Sequence, residues 1–558
     1  MNIYQELIQH LKNRDYPEKE FNALKRDLCS KHHIKIVPTN IQILLNAPKD
    51  EFQFLKKKLL TKPVRSIAGV APVAIMTKPL ACPHGKCTMC PGGPKSFFGD
   101  VPMSYTGKEP ATMRGIRNNY DSYLQVFNRL EQYAILGHNF DKIELIIMGG
   151  TFPASPQEYQ EEFVKYAFKA MNDFSDLFFE NGEFAYMKFK EFFELPVDSI
   201  KNIERQERVK EKLLALRQQC TLESEQIRNE TAQIRCIALC IETKPDWGLL
   251  QHGNELLRLG CTRVELGIQS VYEDVIQKIH RGHTIQDTID SIRILKDFGF
   301  KITGHYMPGL PLTDKDRDIK GMQELFFNSD FRPDMLKIYP CMVSQGTALY
   351  ADYITGKFKP ITADEAAERI AELKKIIPEY CRIMRIQRDV PTKQWAAGVE
   401  MTNFRQYFME NFNVVCRCIR CREPKDKKIS WDNVTLKVQD YDASEGKEFF
   451  ISVEDTQNDI LIGFARLRFP RDALRSEITP TSALLRELHV YGTAIGIGEE
   501  GKVQHKGYGK LLLEEAERIA KEEFDMKKML IISGIGVKEY FKKFGYEKDG
   551  VYMSKSLK

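Results

Sequence analysis

From about residue 66 to residue 390, apolar runs with strand character alternate with helical runs, and that alternation leaves few folds open. Lys142–Met148, Arg235–Ile241, Thr262–Ile268, Lys301–Tyr306 and Met335–Tyr339 read as strands. Helical stretches fill the intervals at 156–171, 249–259, 285–298 and 364–377. Strands separated by helices pair in parallel, so this stretch predicts an α/β domain with a parallel sheet and helices outside it. Chemistry in such a sheet gathers at the C-terminal ends of its strands. Residues 178–230 are charged and helical and read as an insertion or as outer helices. A basic helical segment precedes the sheet at 1–65, a connector follows at 391–430, and 431–558 forms a separate α/β unit.

With 558 residues, 42% of them hydrophobic and 28% charged, the chain is expected to be soluble and to hold several domains. No apolar run reaches the length of a membrane span, so no membrane partner is expected. Met1-Asn2-Ile3-Tyr4 opens the chain without the charged-then-apolar layout of a signal peptide, and the expectation is a cytoplasmic protein. The 13 cysteines are irregularly spaced and read as reduced thiols and metal ligands. A net charge of +5 is too small for this length to argue for nucleic acid, so any such reading rests on local patches.

The densest cysteine run is Cys82, Cys87 and Cys90, followed by Gly92-Gly93. Three thiolates at this spacing can hold three corners of a [4Fe-4S] cluster and leave one iron open. An open iron can bind S-adenosylmethionine and cleave it to a radical. The competing reading, a structural zinc knot, normally shows two ligand pairs, and only one triplet stands here. Met148-Gly149-Gly150-Thr151 closes a strand with two glycines, as in radical S-adenosylmethionine enzymes, where such a turn meets the methionine end of the cofactor. A Glu often follows those glycines, and Thr151 in its place argues against a side-chain role there. Glu265 and Gln269 share one strand face if the strand runs that far, and a polar pair facing the barrel interior needs partners, which a ribose or amino-acid moiety of the cofactor would supply, a ligand-free strand-end network being the other reading. His305, Lys337 and Tyr339 lie on later strands and could line the same cavity; Lys337 is the candidate catalytic residue among them.

In the last unit, Gln504-His505-Lys506-Gly507-Tyr508-Gly509-Lys510 opens an amphipathic helix. A glycine-bearing turn at a helix N-terminus is an anion site. Leu484–Tyr491 reads as a strand before it, with Met529–Ser533 and a Tyr540-bearing helix after it, an order that resembles the GNAT acetyltransferases. In that fold a Tyr at the position of Tyr540 contacts the thioester or protonates the departing thiolate, which makes Tyr540 a candidate catalytic residue. In the connector, Cys416, Cys418 and Cys421 offer three thiolates for a structural zinc, with Cys381 or Cys341 as the fourth ligand. In the N-terminal segment, Lys56, Lys57, Lys58, Lys62 and Arg65, with Lys25, Arg26, Lys31, His32 and His33, could form a basic face, an ordinary solvated helix surface being the other reading.

Together these motifs resemble the catalytic-subunit family of Elongator, in its archaeal single-subunit form. The resemblance rests on 82–93, Ser104–Gly107, Met148–Phe152, Ile241–Asp246, Gly260–Asp274, Arg486–Gly492 and Gln504–Gly509, and runs through nearly the whole chain. It implies a partial TIM barrel fused to a GNAT domain, a [4Fe-4S] cluster on Cys82, Cys87 and Cys90, and a cysteine-ligated zinc. It implies acetyl-CoA contacts from Glu487, Leu488, His489 and Val490, from Gln504 to Lys510, from Tyr540 and Phe541, and from Lys142 across the domain interface. The implied reaction uses a radical derived from S-adenosylmethionine and acetyl-CoA to carboxymethylate C5 of the tRNA wobble uridine, with the anticodon region as partner, with Lys56, Lys57, Lys58, Lys62 and Arg65 of the basic segment holding tRNA phosphates, and with a homodimer or Elongator-type subunits as further partners. Two departures stand out. Eukaryotic members space the first two cluster cysteines more widely, and many members have Tyr-Tyr where this chain has Tyr540-Phe541. Two other functions stay in view: a protein lysine acetyltransferase with a structural cluster, and a radical enzyme acting on a small molecule with acetyl-CoA as an allosteric ligand.

Overall fold

The central apolar runs pair into one seven-stranded parallel sheet whose strand order follows the chain: β1 (Ala71–Met76), β2 (Lys142–Met148), β3 (Arg235–Thr243), β4 (Arg263–Gln269), β5 (Lys301–Tyr306), β6 (Met335–Ile338) and β7 (Arg382–Arg385). These coordinates are a computed structural model, which describes residues 2–48, 50–60, 69–196, 202–425, 427–492 and 507–557. Because β1 and β7 pair with one neighbour each, the sheet is an open half-barrel. Period-2 alternation does the sorting: in β2, Ile143, Leu145 and Ile147 are fully buried under the outer helices, while Lys142, Glu144, Ile146 and Met148 face the concave side.

Four N-terminal helices, α1 (Ile3–Asn13), α2 (Glu18–Lys31), α3 (Asn40–Leu45) and α4 (Phe52–Leu59), share the apolar core of this sheet through residues such as Leu7, Leu44 and Leu55. α1 starts at a capping box in which the Asn2 side chain accepts from Gln5 N and the Gln5 side chain accepts from Asn2 N.

The second sheet contains β8 (Val434–Ala443), β9 (Gly446–Asp455), β10 (Ile460–Phe469), β11 (Ser482–Val490), β12 (Lys528–Ile531), β13 (Glu547–Asp549) and β14 (Tyr552–Ser556), in the order β8-β9-β10-β11-β12-β14-β13. Only β11 and β12 run parallel. The helix Tyr508–Arg518 buries Leu512, Leu513 and Ala516 against this sheet.

The second domain seats on the N-terminal ends of the barrel strands. Gly534 and Gly536 let its backbone touch β3: a Cβ at Gly534 would lie 1.9 Å from Ile237 O, and one at Gly536 would lie 2.5 Å from Arg235 Cβ. Around them the seam holds buried charges. Arg486 donates to both carboxylate oxygens of Asp334, at 2.9 and 2.6 Å, and to Glu448 at 2.8 Å. Arg468 pairs with Asp297 at 2.6 Å and with Glu448 at 2.9 Å. Arg466 pairs with Glu487 at 2.8 Å and lies 3.6 Å from Asp334. Lys296 lies 3.6 Å from Glu448. Through these pairs, and through Lys301 at 3.6 Å from Glu487, each buried seam cation faces a carboxylate.

Candidate active site with two mouths

A cavity of about 1650 Å³ runs along the concave face of the barrel. Its walls alternate along the strands, with Lys142, Glu144, Ile146 and Met148 from β2, and Arg263, Glu265, Gly267 and Gln269 from β4. Cys82, Cys87 and Cys90 line one end, and Gly507, Tyr508, Gly509, Lys510 and Tyr540 line the other. A strand of seven residues is roughly 20 Å long, which sets the spacing between these two ends.

At the C-terminal mouth each thiol has a polar neighbour. Thr151 Oγ1 is 3.7 Å from Cys82 Sγ. His84 Nε2 and Arg281 Nη1 are 3.3 and 3.6 Å from Cys87 Sγ. Ser104 N donates to Cys90 Sγ at 3.2 Å. Thr151 thus has a side-chain contact that the sequence gave no reason to expect. Burial pushes the Cys82 and Cys90 thiols above their ordinary pKa, and the Thr151 and Ser104 bonds pull the other way. Three clustered thiols with donors around them, and no fourth thiol in their apolar cluster, suit a four-iron cluster with one open iron. The glycine turn is sterically compelled: Gly149 has φ +137°, and a Cβ there would lie 1.9 Å from Thr77 Oγ1, while one at Gly150 would lie 3.0 Å from Met103 Cβ. Gly149 N donates to Glu242, which also accepts from the Tyr105 hydroxyl at 3.0 Å. Glu242 is a site residue that its motif, Ile241–Asp246, could have flagged. Gln269 ends β4 with φ +68° after a register shift, and its buried Oε1 has no partner among the described residues.

Midway along the lumen runs a chain of charges. Arg263 donates to Glu144 and to Glu265, both at 2.7 Å, and His305 lies 3.0 Å from Glu265. Lys337 completes the set as the ammonium partner of Glu265. Burial alone would raise the Glu265 pKa, but Lys337, Arg263 and His305 hold it well below the carboxylate range. Burial works against the Lys337 charge, yet Glu265 raises its pKa further. Lys337 therefore lines the lumen paired with Glu265, which stands at the centre of a protein network.

At the far mouth β11 separates from β12. Their last pair is Leu485 with Ile531, and β11 continues to Val490 with that side of its backbone facing the cavity. Leu488, His489 and Val490 line this opening, where an extended amide-bearing arm can bind as an added strand. Glu487 is engaged at the seam with Arg466 and Lys301. The helix Tyr508–Arg518 starts from Gly507 at φ +82° with no side-chain cap and no acid in its first turn, which leaves its N–H groups for an anion. A Cβ on Gly509 would lie 2.6 Å from Tyr540 Oη, so glycine there makes room for the phenol. Burial raises the Tyr540 pKa, while Phe541 belongs to the domain core. Gln504, His505 and Lys506 lie outside the described residues.

Outside the lumen, the Sγ atoms of Cys416, Cys418 and Cys421 all lie within 4.8 Å of one another. This is a donor set that suits three corners of a tetrahedral zinc. Cys381 is a neighbour, its carbonyl accepting from Ile419 N at 3.0 Å. Cys341 is not a fourth ligand: it sits in a separate apolar cluster with Val275, Leu310 and Val343.

The N-terminal cations do not form one free face. Lys25 is buried and bonds Asn40, Lys31 and His32 pair with Glu6, Lys56 bonds Asn139, and Lys58 reaches Leu11 O and Asp15. Lys57 is exposed, and Lys62 and Arg65 lie outside the described residues. Among the described residues no helix is long and apolar enough to cross a membrane.

Comparison with known proteins adds the following. The model for the ELP3 N-terminal domain matches residues 1–67, the Radical SAM superfamily 79–320, the Radical_SAM C-terminal domain 333–412, and the Acetyltransferase (GNAT) family 412–546. The matched families imply a four-iron cluster with S-adenosylmethionine and an acetyl-CoA site. The chain is 45% identical to the tRNA uridine(34) acetyltransferase of Methanocaldococcus jannaschii, over 99% of this chain and 96% of that one. It is 37% identical to Elongator complex protein 3 of Homo sapiens, over 100% and 96%. The solved structure of archaeal Methanocaldococcus infernus Elp3 with an N-terminal deletion is 41% identical, with a TM-score of 0.71 over 88% of this chain and 100% of that one.

Proposed function

The chain belongs to the Elongator complex protein 3 family, and from that premise we propose that it carboxymethylates C5 of the wobble uridine of tRNA in the cytoplasm, using an S-adenosylmethionine-derived radical and acetyl-CoA. One observation carries the reading: the three thiols and the acetyl-CoA elements open onto a single lumen. A reaction joining an acetyl carbon to a base by radical chemistry needs both in one enclosure, whereas a lysine acetyltransferase with a structural cluster does not.

Cys82, Cys87 and Cys90 would hold the [4Fe-4S] cluster, which when bound supplies the electron that splits S-adenosylmethionine. Gly150 and Gln269, which line the cavity with the thiols, would offer polar groups to that cofactor, and Gly149, bonded to Glu242, would hold the turn in place. Leu488, His489, Val490 and the turn Gly507–Lys510 would bind the pantetheine arm and pyrophosphate of acetyl-CoA, and Tyr540 would stand by its thioester. The Glu144–Arg263–Glu265–Lys337 chain keeps the lumen wall polar without leaving a stray base near a radical. Cys416, Cys418 and Cys421 would hold a structural zinc.

The test is anaerobic incubation of the reconstituted protein with tRNA, acetyl-CoA, S-adenosylmethionine and reductant, followed by nucleoside mass spectrometry. Carboxymethyl-uridine is the expected product; unmodified tRNA beside acetylated basic protein would overturn the reading. A further expectation concerns Gly509→Ala. Its new Cβ displaces Tyr540, and overpacking of this kind costs about 1–3 kcal/mol. Acetyl-CoA affinity measured by calorimetry should therefore fall about tenfold, while S-adenosylmethionine binding stays unchanged.

A further inference from the structure

Where the loop after β7 passes the cluster mouth, Arg388 and Trp395 line the cavity together with Tyr105. The Arg388 guanidinium carbon lies 5.8 Å from the Tyr105 ring centroid and 5.9 Å from that of Trp395. Two contacts tie this group to the cluster. Arg388 Nη2 donates to Ser104 O, and Ser104 N donates to Cys90 Sγ. The Tyr105 hydroxyl donates to Glu242, the same carboxylate that accepts from Gly149 of the glycine turn. The indole is held in place as well: Ala396 N donates to Val343 O at 2.8 Å and Val343 N to Ala397 O at 3.0 Å, pinning the residues just after Trp395. The same wall carries Arg385 and Arg405, and Arg405 has a buried Nη1 without a partner among the described residues.

We propose that Trp395 and Arg388 form the platform that receives the unpaired target base, a deepening that rests on the tRNA reading above. A single-stranded base is recognised by stacking on an aromatic ring or a guanidinium plane, with its edge read by hydrogen bonds. Trp395 supplies the stacking surface. Arg388 supplies donors and no acceptor. A uracil edge presents O4, N3–H and O2 in turn, and it is at O4 that a guanidinium donor tells uracil from cytosine. Cytosine presents an amino group in place of O4 and meets a donor with a donor. Arg385 and Arg405 provide positive charge for the flanking phosphates. Trp395 and Arg388 are positioning and specificity residues, and no proton or electron passes through them.

The chain has three tryptophans, so Trp247→Phe with Trp431→Phe leaves Trp395 as the only indole reporter. That full-length protein is titrated with an anticodon stem-loop RNA bearing uridine at the wobble position and with the same RNA carrying an abasic site there. Quenching of indole emission by the uridine RNA alone is expected. In turnover, Trp395→Ala should raise KM for tRNA about tenfold or more, Trp395→Phe should stay near the parent, and Arg388→Lys should shrink the preference for uridine over cytidine. Cluster absorbance and acetyl-CoA affinity serve as the folding controls. Equal quenching by both RNAs, or an unchanged KM in Trp395→Ala, overturns the platform. If the parent enzyme leaves tRNA unmodified, the catalytic reading fails, and the quenching experiment still decides the platform by itself.

Discussion

Cys87→Ala is expected to give a folded protein that binds acetyl-CoA normally and makes no modified uridine. Cys87 is the thiol most surrounded by donors, with His84 at 3.3 Å and Arg281 at 3.6 Å. Its removal leaves two thiols, and a cluster with two protein ligands loses chelation as well as a donor. The acetyl-CoA elements belong to the other domain, at the far end of a strand length of roughly 20 Å, so they have no contact to lose. Iron content and visible absorbance after anaerobic reconstitution should collapse, and the carboxymethyl product should drop below detection. Acetyl-CoA affinity by calorimetry should match the parent. Retained product in this variant would remove Cys87 from the cluster set.

The second large effect lies at the domain seam. Asp334 is completely buried, accepts two bonds from Arg486 and one from Ile302 N at 2.8 Å, and lies 3.6 Å from Arg466. Asp334→Ala leaves both guanidinium groups in the seam without that carboxylate. Breaking a buried pair from one side costs about 3–5 kcal/mol, far more than the pair contributes against an apolar replacement. Urea denaturation should show the loss, as a lower midpoint or as separation of one transition into two. The sign with pH follows. Burial raises the Asp334 pKa, but Arg486, Arg466 and Lys296 hold it well below its ordinary value. Its contribution is therefore full above the unfolded value near 3.8 and fades as pH falls through the folded one. Asp334→Ala should flatten the acid limb of the stability curve, and an acid limb of unchanged slope would count against the assignment.

How much of this was legible beforehand differs from residue to residue. β2 and β5 lie where their apolar runs put them, at Lys142–Met148 and Lys301–Tyr306. β1 and β7 gave no clear strand signal: β1 carries Pro72, and β7 is only Arg382-Ile383-Met384-Arg385. Glu265, His305 and Lys337 were visible as single polar residues on strands, but their union needs β4, β5 and β6 side by side, and the Lys337 ammonium belongs to a carboxylate 72 residues away in sequence. The same limit hid the seam. Nothing local to Arg466, Arg468 or Arg486 distinguishes a solvated strand face from one matched by Asp297 and Asp334 of another domain. Arg388 and Trp395 were invisible for a related reason, since a loop acquires meaning from the wall it passes. The N-terminal lysines erred in the other direction: composition promised a surface, and Glu6, Asp15 and Asn139 had already claimed most of it.

The separation of the two ends of the lumen bears on the order of events. On the docking proposed above, a coenzyme would sit at the N-terminal ends of the strands and a polynucleotide at the C-terminal ends, so the two would not compete for one place, and spent coenzyme could be exchanged behind a polynucleotide that stays seated.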